Sequence, residues 1–177
     1  VLLAWNFPTN GLSKIAPNLK WIHNISAGVN HLSPFNWVKK ELVITKMEIN
    51  GDDVTIVATG HLVWEALEAA KELESQGINS EVINIHTIKP LDEDAILESI
   101  KKTGCAISCE EHNIIGGLGE SISRVISENN PLPFKIVGVN DSFGESGKPI
   151  DLLSKYGLDP KNIMDSALQV LKRKKHK

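Results

Sequence analysis

The stretch Thr87-Ile88-Lys89-Pro90-Leu91-Asp92, with the later run Glu110-Glu111-His112-Asn113-Ile114-Ile115-Gly116-Gly117-Leu118-Gly119-Glu120, decides how this chain folds. Each piece reads as the exit of a buried strand that delivers a polar loop to one edge of a sheet. In the first, Pro90 sets the turn and Asp92 stands where the N-cap of a helix starting near Glu93 belongs. In the second, the strand Ala106 to Cys109 ends in two carboxylates and an imidazole. A Gly-Gly-x-Gly turn then opens the next helix.

Working outward, apolar runs alternate with amphipathic ones. Val54 to Ala58, Glu81 to Ile85, Ala106 to Cys109 and Phe134 to Val139 read as buried strands. Between them, Leu62, Ala66, Leu67, Ala70 and Leu73 share a helical face, and Gly77 closes that helix. Helices follow at Glu93 to Lys101, ended by Gly104, at Leu118 to Glu128, and at Pro160 to Leu171. This alternation predicts an α/β fold, a three-layer α/β/α sandwich on a mostly parallel sheet. Ligands of such sheets sit at the carboxyl ends of the strands. The polar run Asp141 to Lys148 reads as an exposed loop.

Together with Ser146-Gly147-Lys148-Pro149 and Leu152-Leu153-x-x-Tyr156-Gly157-Leu158, these motifs resemble the C-terminal domain of transketolases and related thiamine-diphosphate enzymes, over about residues 47–177. The resemblance implies a domain that supplies dimer surface and support. Thiamine diphosphate and its metal are held in that family by the two preceding domains, whose diphosphate-binding sequence does not occur here. No cofactor of its own is therefore expected, and no turnover by the chain alone.

The first 46 residues keep the strand-helix rhythm, with candidate strands Val1 to Trp5, Lys20 to Ile25 and Leu42 to Thr45. Helical segments are read at Leu12 to Ile15 and around Val29 to Val38. Pro17 to Leu32 resembles the substrate-binding domain of D-2-hydroxyacid dehydrogenases. That resemblance implies a flavodoxin-like N-terminal fragment packed on the second domain, and a carboxylate held by the amides of Ala27, Gly28 and Val29. A glycine between strand and helix also serves merely to make the turn. The dinucleotide fingerprint Gly-x-Gly-x-x-Gly is missing, so hydride transfer is excluded.

The expected domains are therefore residues 1–46 and 47–177, merged or separate. The leading expectation is a non-catalytic chimera joined at Lys46 and Met47. The alternative is the C-terminal subunit of a split, thiamine-diphosphate-dependent transketolase that acts only with a partner chain. A small-anion binding module is a third.

Four polar side chains, His61, Glu110, Glu111 and His112, form the candidate cluster. Carboxylates beside an imidazole can divide acid and base work between them. Side chains alternate along a strand, however, so Glu110 and Glu111 should face opposite ways and cap backbone amides instead. Gly116, Gly117 and Gly119 could cradle an anion, although no Walker-type lysine accompanies them. No catalytic residue is assigned.

The chain carries 19 Lys and Arg against 22 Asp and Glu, a net charge of -3, which offers no field for nucleic acid. The basic tail Lys172 to Lys177 suits the negative end of a helix. Cys105 and Cys109 sit in one strand, too extended to bridge, and read as reduced residues of a cytoplasmic protein. With His112 they lack a fourth ligand, so no metal site is expected. No apolar run spans a membrane. A homodimer or domain-swapped dimer, through exposed strand edges, is the expected assembly. A thiamine-binding partner subunit is the other expected partner.

Overall fold

A computed structural model describes residues 2–4, 22–24 and 51–175. The chain divides into two compact units, Val1–Lys46 and Met47–Lys177. In the first, β1 (Leu2–Ala4) pairs in parallel with β2 (Ile22–Asn24). The expected elements at residues 12–15, 29–38 and 42–45, and the turn Ala27-Gly28-Val29, lie outside the described residues.

The second unit runs β3 (Val54–Ala58), α1 (Leu62–Ser75), β4 (Ser80–Asn84), α2 (Glu93–Thr103), β5 (Ala106–Asn113), α3 (Leu118–Asn129), β6 (Phe134–Val139), α4 (Pro149–Lys155) and α5 (Pro160–Lys175). Its four strands are all parallel, in the order β4-β3-β5-β6. Strand alternation sends Val54, Ile56 and Ala58 to one face, where they meet α1 and α5 through Leu62, Ala66, Leu73, Ile163, Ala167 and Val170. Val57, Ile83 and Ala106 face the other way, onto Ile96 and Ile100 of α2 and Leu118 and Ile122 of α3. Each fully buried Leu or Ile contributes about 1.5–3 kcal/mol, so these two cores hold the three layers together.

The local signals act as read. Asp92 Oδ1 accepts from the Ala95 N–H at 3.1 Å and caps α2. Gly77 and Gly104 follow α1 and α2 with φ of 75° and 68°. Two differences stand out. The strand expected to stop at Cys109 continues as β5 to Asn113, with a register shift against β6 between those residues. The segment after the polar loop forms α4, a helix without one buried residue.

A carboxylate also starts α5. Asp159 Oδ1 accepts from the Asn162 backbone N–H at 2.9 Å and from its side-chain amide at 2.7 Å. Burial pushes this carboxyl up, but the bonds from Asn162 and Ser154, with Lys161 nearby, pull it below the usual aspartate range. A lowered folded-state pKa contributes stability above the unfolded value, and that contribution is lost as pH falls through the folded one. Asp159→Ala should therefore cost about 1 kcal/mol at neutral pH. In urea titrations the gap to wild type should close below the ordinary carboxylate range.

Candidate functional site

The sheet reverses its winding between β3 and β5, because the chain leaves β3 toward β4 and then crosses back to β5. A crevice at the carboxyl ends of these two strands is where open α/β sheets bind ligands. Thr59, Gly60 and His61 follow β3 there, and Glu110 to Asn113 end β5. The two strand ends are tied together by the Thr59 N–H, which donates to the Cys109 carbonyl at 3.1 Å.

The four polar side chains do not converge. Glu110 turns inward, 1% exposed, while alternation puts Glu111 on the opposite face, and His112, near the end of β5, is exposed as well. Glu110 Oε2 accepts from the Leu118 N–H and Oε1 from the Gly119 N–H, both at 2.8 Å. A carboxylate on the first amides of α3 also meets the positive end of that helix. His112 donates from Nδ1 to the Asn113 carbonyl at 2.8 Å, which fixes the proton on Nδ1. His61 heads α1 instead, its Nε2 3.4 Å from Glu65 Oε1. Burial raises the Glu65 carboxyl above the usual range, His61 opposes this, and Asp159 and Glu68 add to it.

The glycine turn is likewise filled from within. The Gly116 N–H donates to Glu120 Oε2 at 2.8 Å, so Gly116, Leu118 and Gly119 all spend their amides on the chain's own carboxylates. A Cβ on Gly117 would lie 2.2 Å from Glu110 Oε2, which is why no larger residue fits there. On β6, a Cβ at Gly138 would come within 2.9 Å of the His112 carbonyl oxygen. In the structure these amides are bonded to Glu110 and Glu120.

Sequence reasoning missed a second buried carboxylate, at the amino edge. Glu81, 2% exposed, accepts from Ser99 Oγ at 2.6 Å and pairs with Lys102 at 2.8 Å. Thr55 Oγ1 continues the network to Ser99 Oγ and Thr103 Oγ1, each at 2.7 Å. Burial raises the Cys105 thiol to about 11 and pushes Cys109 further up, so neither is a thiolate at neutral pH. Both are free and buried.

Among the described residues no group of His, Cys, Asp and Glu could hold a metal ion. No helix of the described residues is long and apolar enough to cross a membrane.

Residues 45–163 match the family model described as transketolase, C-terminal domain. The chain belongs to this family. A 6-deoxy-6-sulfo-D-fructose transketolase subunit of a Clostridium species is 50% identical to it over 124 residues, 70% of this chain and 38% of the relative. An apulose-4-phosphate transketolase subunit of Phocaeicola vulgatus is 37% identical over 125 residues, 71% of this chain and 40% of the relative. The solved structure of a split gene transketolase, an inactive beta4 tetramer, is 46% identical with a TM-score of 0.68, covering 70% of this chain and 41% of that one. This transketolase C-terminal domain thus spans only about two fifths of the length of these relatives. The family match begins at residue 45, and it lends no support to a dehydrogenase fragment or a chimera.

Proposed function

We propose that this chain serves a split transketolase as the C-terminal part of its assembly, acting only with a chain that carries the thiamine-binding regions. The observation that supports this best is the 50% identity to a transketolase subunit. It favours the split-enzyme reading over the non-catalytic chimera, since relatives of residues 47–177 are themselves transketolase subunits. The reaction would be two-carbon ketol transfer from a ketose donor to an aldose acceptor. This domain's part in it is support. It holds its own glycine turn closed with Glu110 and offers surface for assembly, while the cofactor is bound elsewhere.

The test is reconstitution. Ketol transfer should be absent with this chain alone, and should rise when it is added to a partner carrying the thiamine-binding regions, with thiamine diphosphate and magnesium. Turnover by the chain alone, or a partner whose rate is indifferent to it, would overturn the reading.

A further inference from the structure

The cations of the second unit fall into two groups. Lys71, Lys102, Arg124 and Lys155 are paired with carboxylates, those of Glu68, of Glu81, of Glu93 with Glu128, and of Glu145. Lys135, Arg173 and Lys174 bond to uncharged oxygens instead. Lys135 Nζ donates to the Gln169 side-chain oxygen at 2.8 Å, Arg173 Nη1 to the Phe134 carbonyl at 3.1 Å, and Lys174 Nζ to the Asp53 carbonyl at 3.3 Å. An amide oxygen fixes a cation in place without cancelling its charge, whereas a carboxylate does both.

All three lie at the amino edge of the sheet, where α5 ends. Asp53 precedes β3, Phe134 and Lys135 open β6, and Gln169, Arg173 and Lys174 belong to the last two turns of α5. Because β5 runs between β3 and β6, the anchors of Arg173 and Lys174 stand about 10 Å apart across the sheet. The stem of Lys174 carries the surface on to α2: its Cε lies 3.4 Å from where a Cβ on Gly104 would stand, and Gly104 caps that helix. Lys101, in the last turn of α2, and Lys172, on α5, are exposed and make no hydrogen bond or ion pair among the described residues.

The acids nearby do little to offset this charge. Glu81 is taken by Lys102, and Asp53 Oδ2 accepts from the Asn79 N–H at 2.7 Å. Asp52 is exposed before β3, and Asp165 stands two turns ahead of Arg173 on α5. A helix end offers about half an elementary negative charge, and α5 brings Lys172, Arg173 and Lys174 to it. The edge is left with a surplus of positive charge on side chains already held in position.

We propose that this amino edge, from Lys135 across Arg173 and Lys174 to Lys101, binds an acidic segment of another protein. Side chains on one side of an extended segment recur about every 7 Å, so neighbouring carboxylates match the spacing of the two anchors. The Arg173 guanidinium suits a carboxylate in particular, which it can grip through two N–H groups. Nucleic acid fits less well. With 22 Asp and Glu against 19 Lys and Arg the chain repels a long polyanion, and the exposed aromatic side chains on which bases would stack, Trp64 and Phe143, belong to the opposite edge. This goes beyond the split-transketolase reading, and its readout is peptide binding, so either can fail without the other.

Fluorescence anisotropy of a labelled decaglutamate peptide with the full chain at low ionic strength should show saturable binding that weakens as salt is added. Lys172→Glu, a change at an exposed side chain without a partner, should weaken it about tenfold. Arg173→Gln with Lys135→Gln should do the same with an unchanged circular dichroism spectrum. Lys155→Gln with Lys161→Gln, which removes as many charges away from this edge, should leave binding as it was. The proposal falls if the peptide does not bind, if Lys172→Glu binds like wild type, or if the Lys155 and Lys161 pair matters as much as the Arg173 and Lys135 pair. It falls equally if a labelled thymidine oligonucleotide of the same length binds more tightly than the peptide.

Discussion

Gly117→Ala should cost the domain about 3–5 kcal/mol, the sum of overpacking and of lost charge-assisted hydrogen bonds in a buried site. The added methyl would stand 2.2 Å from Glu110 Oε2 and 2.7 Å from its Cδ. An ordinary glutamate would swing away, but this one is buried and bound through both oxygens to the Leu118 and Gly119 amides. To yield is to strand those two donors. Glu110→Ala alone should cost about 2–4 kcal/mol for the same reason. The decisive measurement is urea unfolding of the pair in a double-mutant cycle. Once Glu110 is shortened the clash is gone, so Gly117→Ala should then cost little. Full additivity would show that the glycine is needed for something other than room.

Glu81→Ala should be the next most damaging change, at about 2–4 kcal/mol. The side chain joins β4 to α2, and its loss leaves the hydroxyl of Ser99 without its carboxylate acceptor in a buried network. Lys102, being 42% exposed, can turn to water and limits the damage. Ser99→Ala should cost about 1–2 kcal/mol, and the double variant less than the sum, because both changes cut one link. Denaturant midpoints at unchanged m-value give the coupling; strict additivity would mean that the two side chains act separately.

The two carboxylates also mark how far the sequence could be read. Apart from α4, the strands and helices of residues 54–171 follow from their apolar spacing, and Asp92 is an N-cap that position alone reveals. The opposed faces of Glu110 and Glu111 follow from strand alternation once β5 is recognised. The charged end of β5 was hidden, since Glu110 to Asn113 carry no apolar pattern and their pairing depends on a register shift against β6. Helix α4 was hidden too: it has no fully buried residue and no side-chain cap, and Pro149 at its first position was the one N-terminal signal it offered. The sequence places Glu81 at the start of a strand but does not mark its carboxylate as one held in the interior. Its partner Ser99 comes from a helix 18 residues later, and only the packing of α2 on the sheet makes the position interior. Of the candidate cluster, Glu110, His112 and His61 each bond to a different group of the chain, so the four side chains share no common partner.

Because an amino-acid side chain, and not something dissolved in the medium, completes the start of α3, this subdomain brings its own counter-ion to folding. Stability of that kind is set by the polypeptide alone and is indifferent to how much phosphate or metabolite the surroundings contain. The start of α3 can therefore fold with its charge already matched from within the chain.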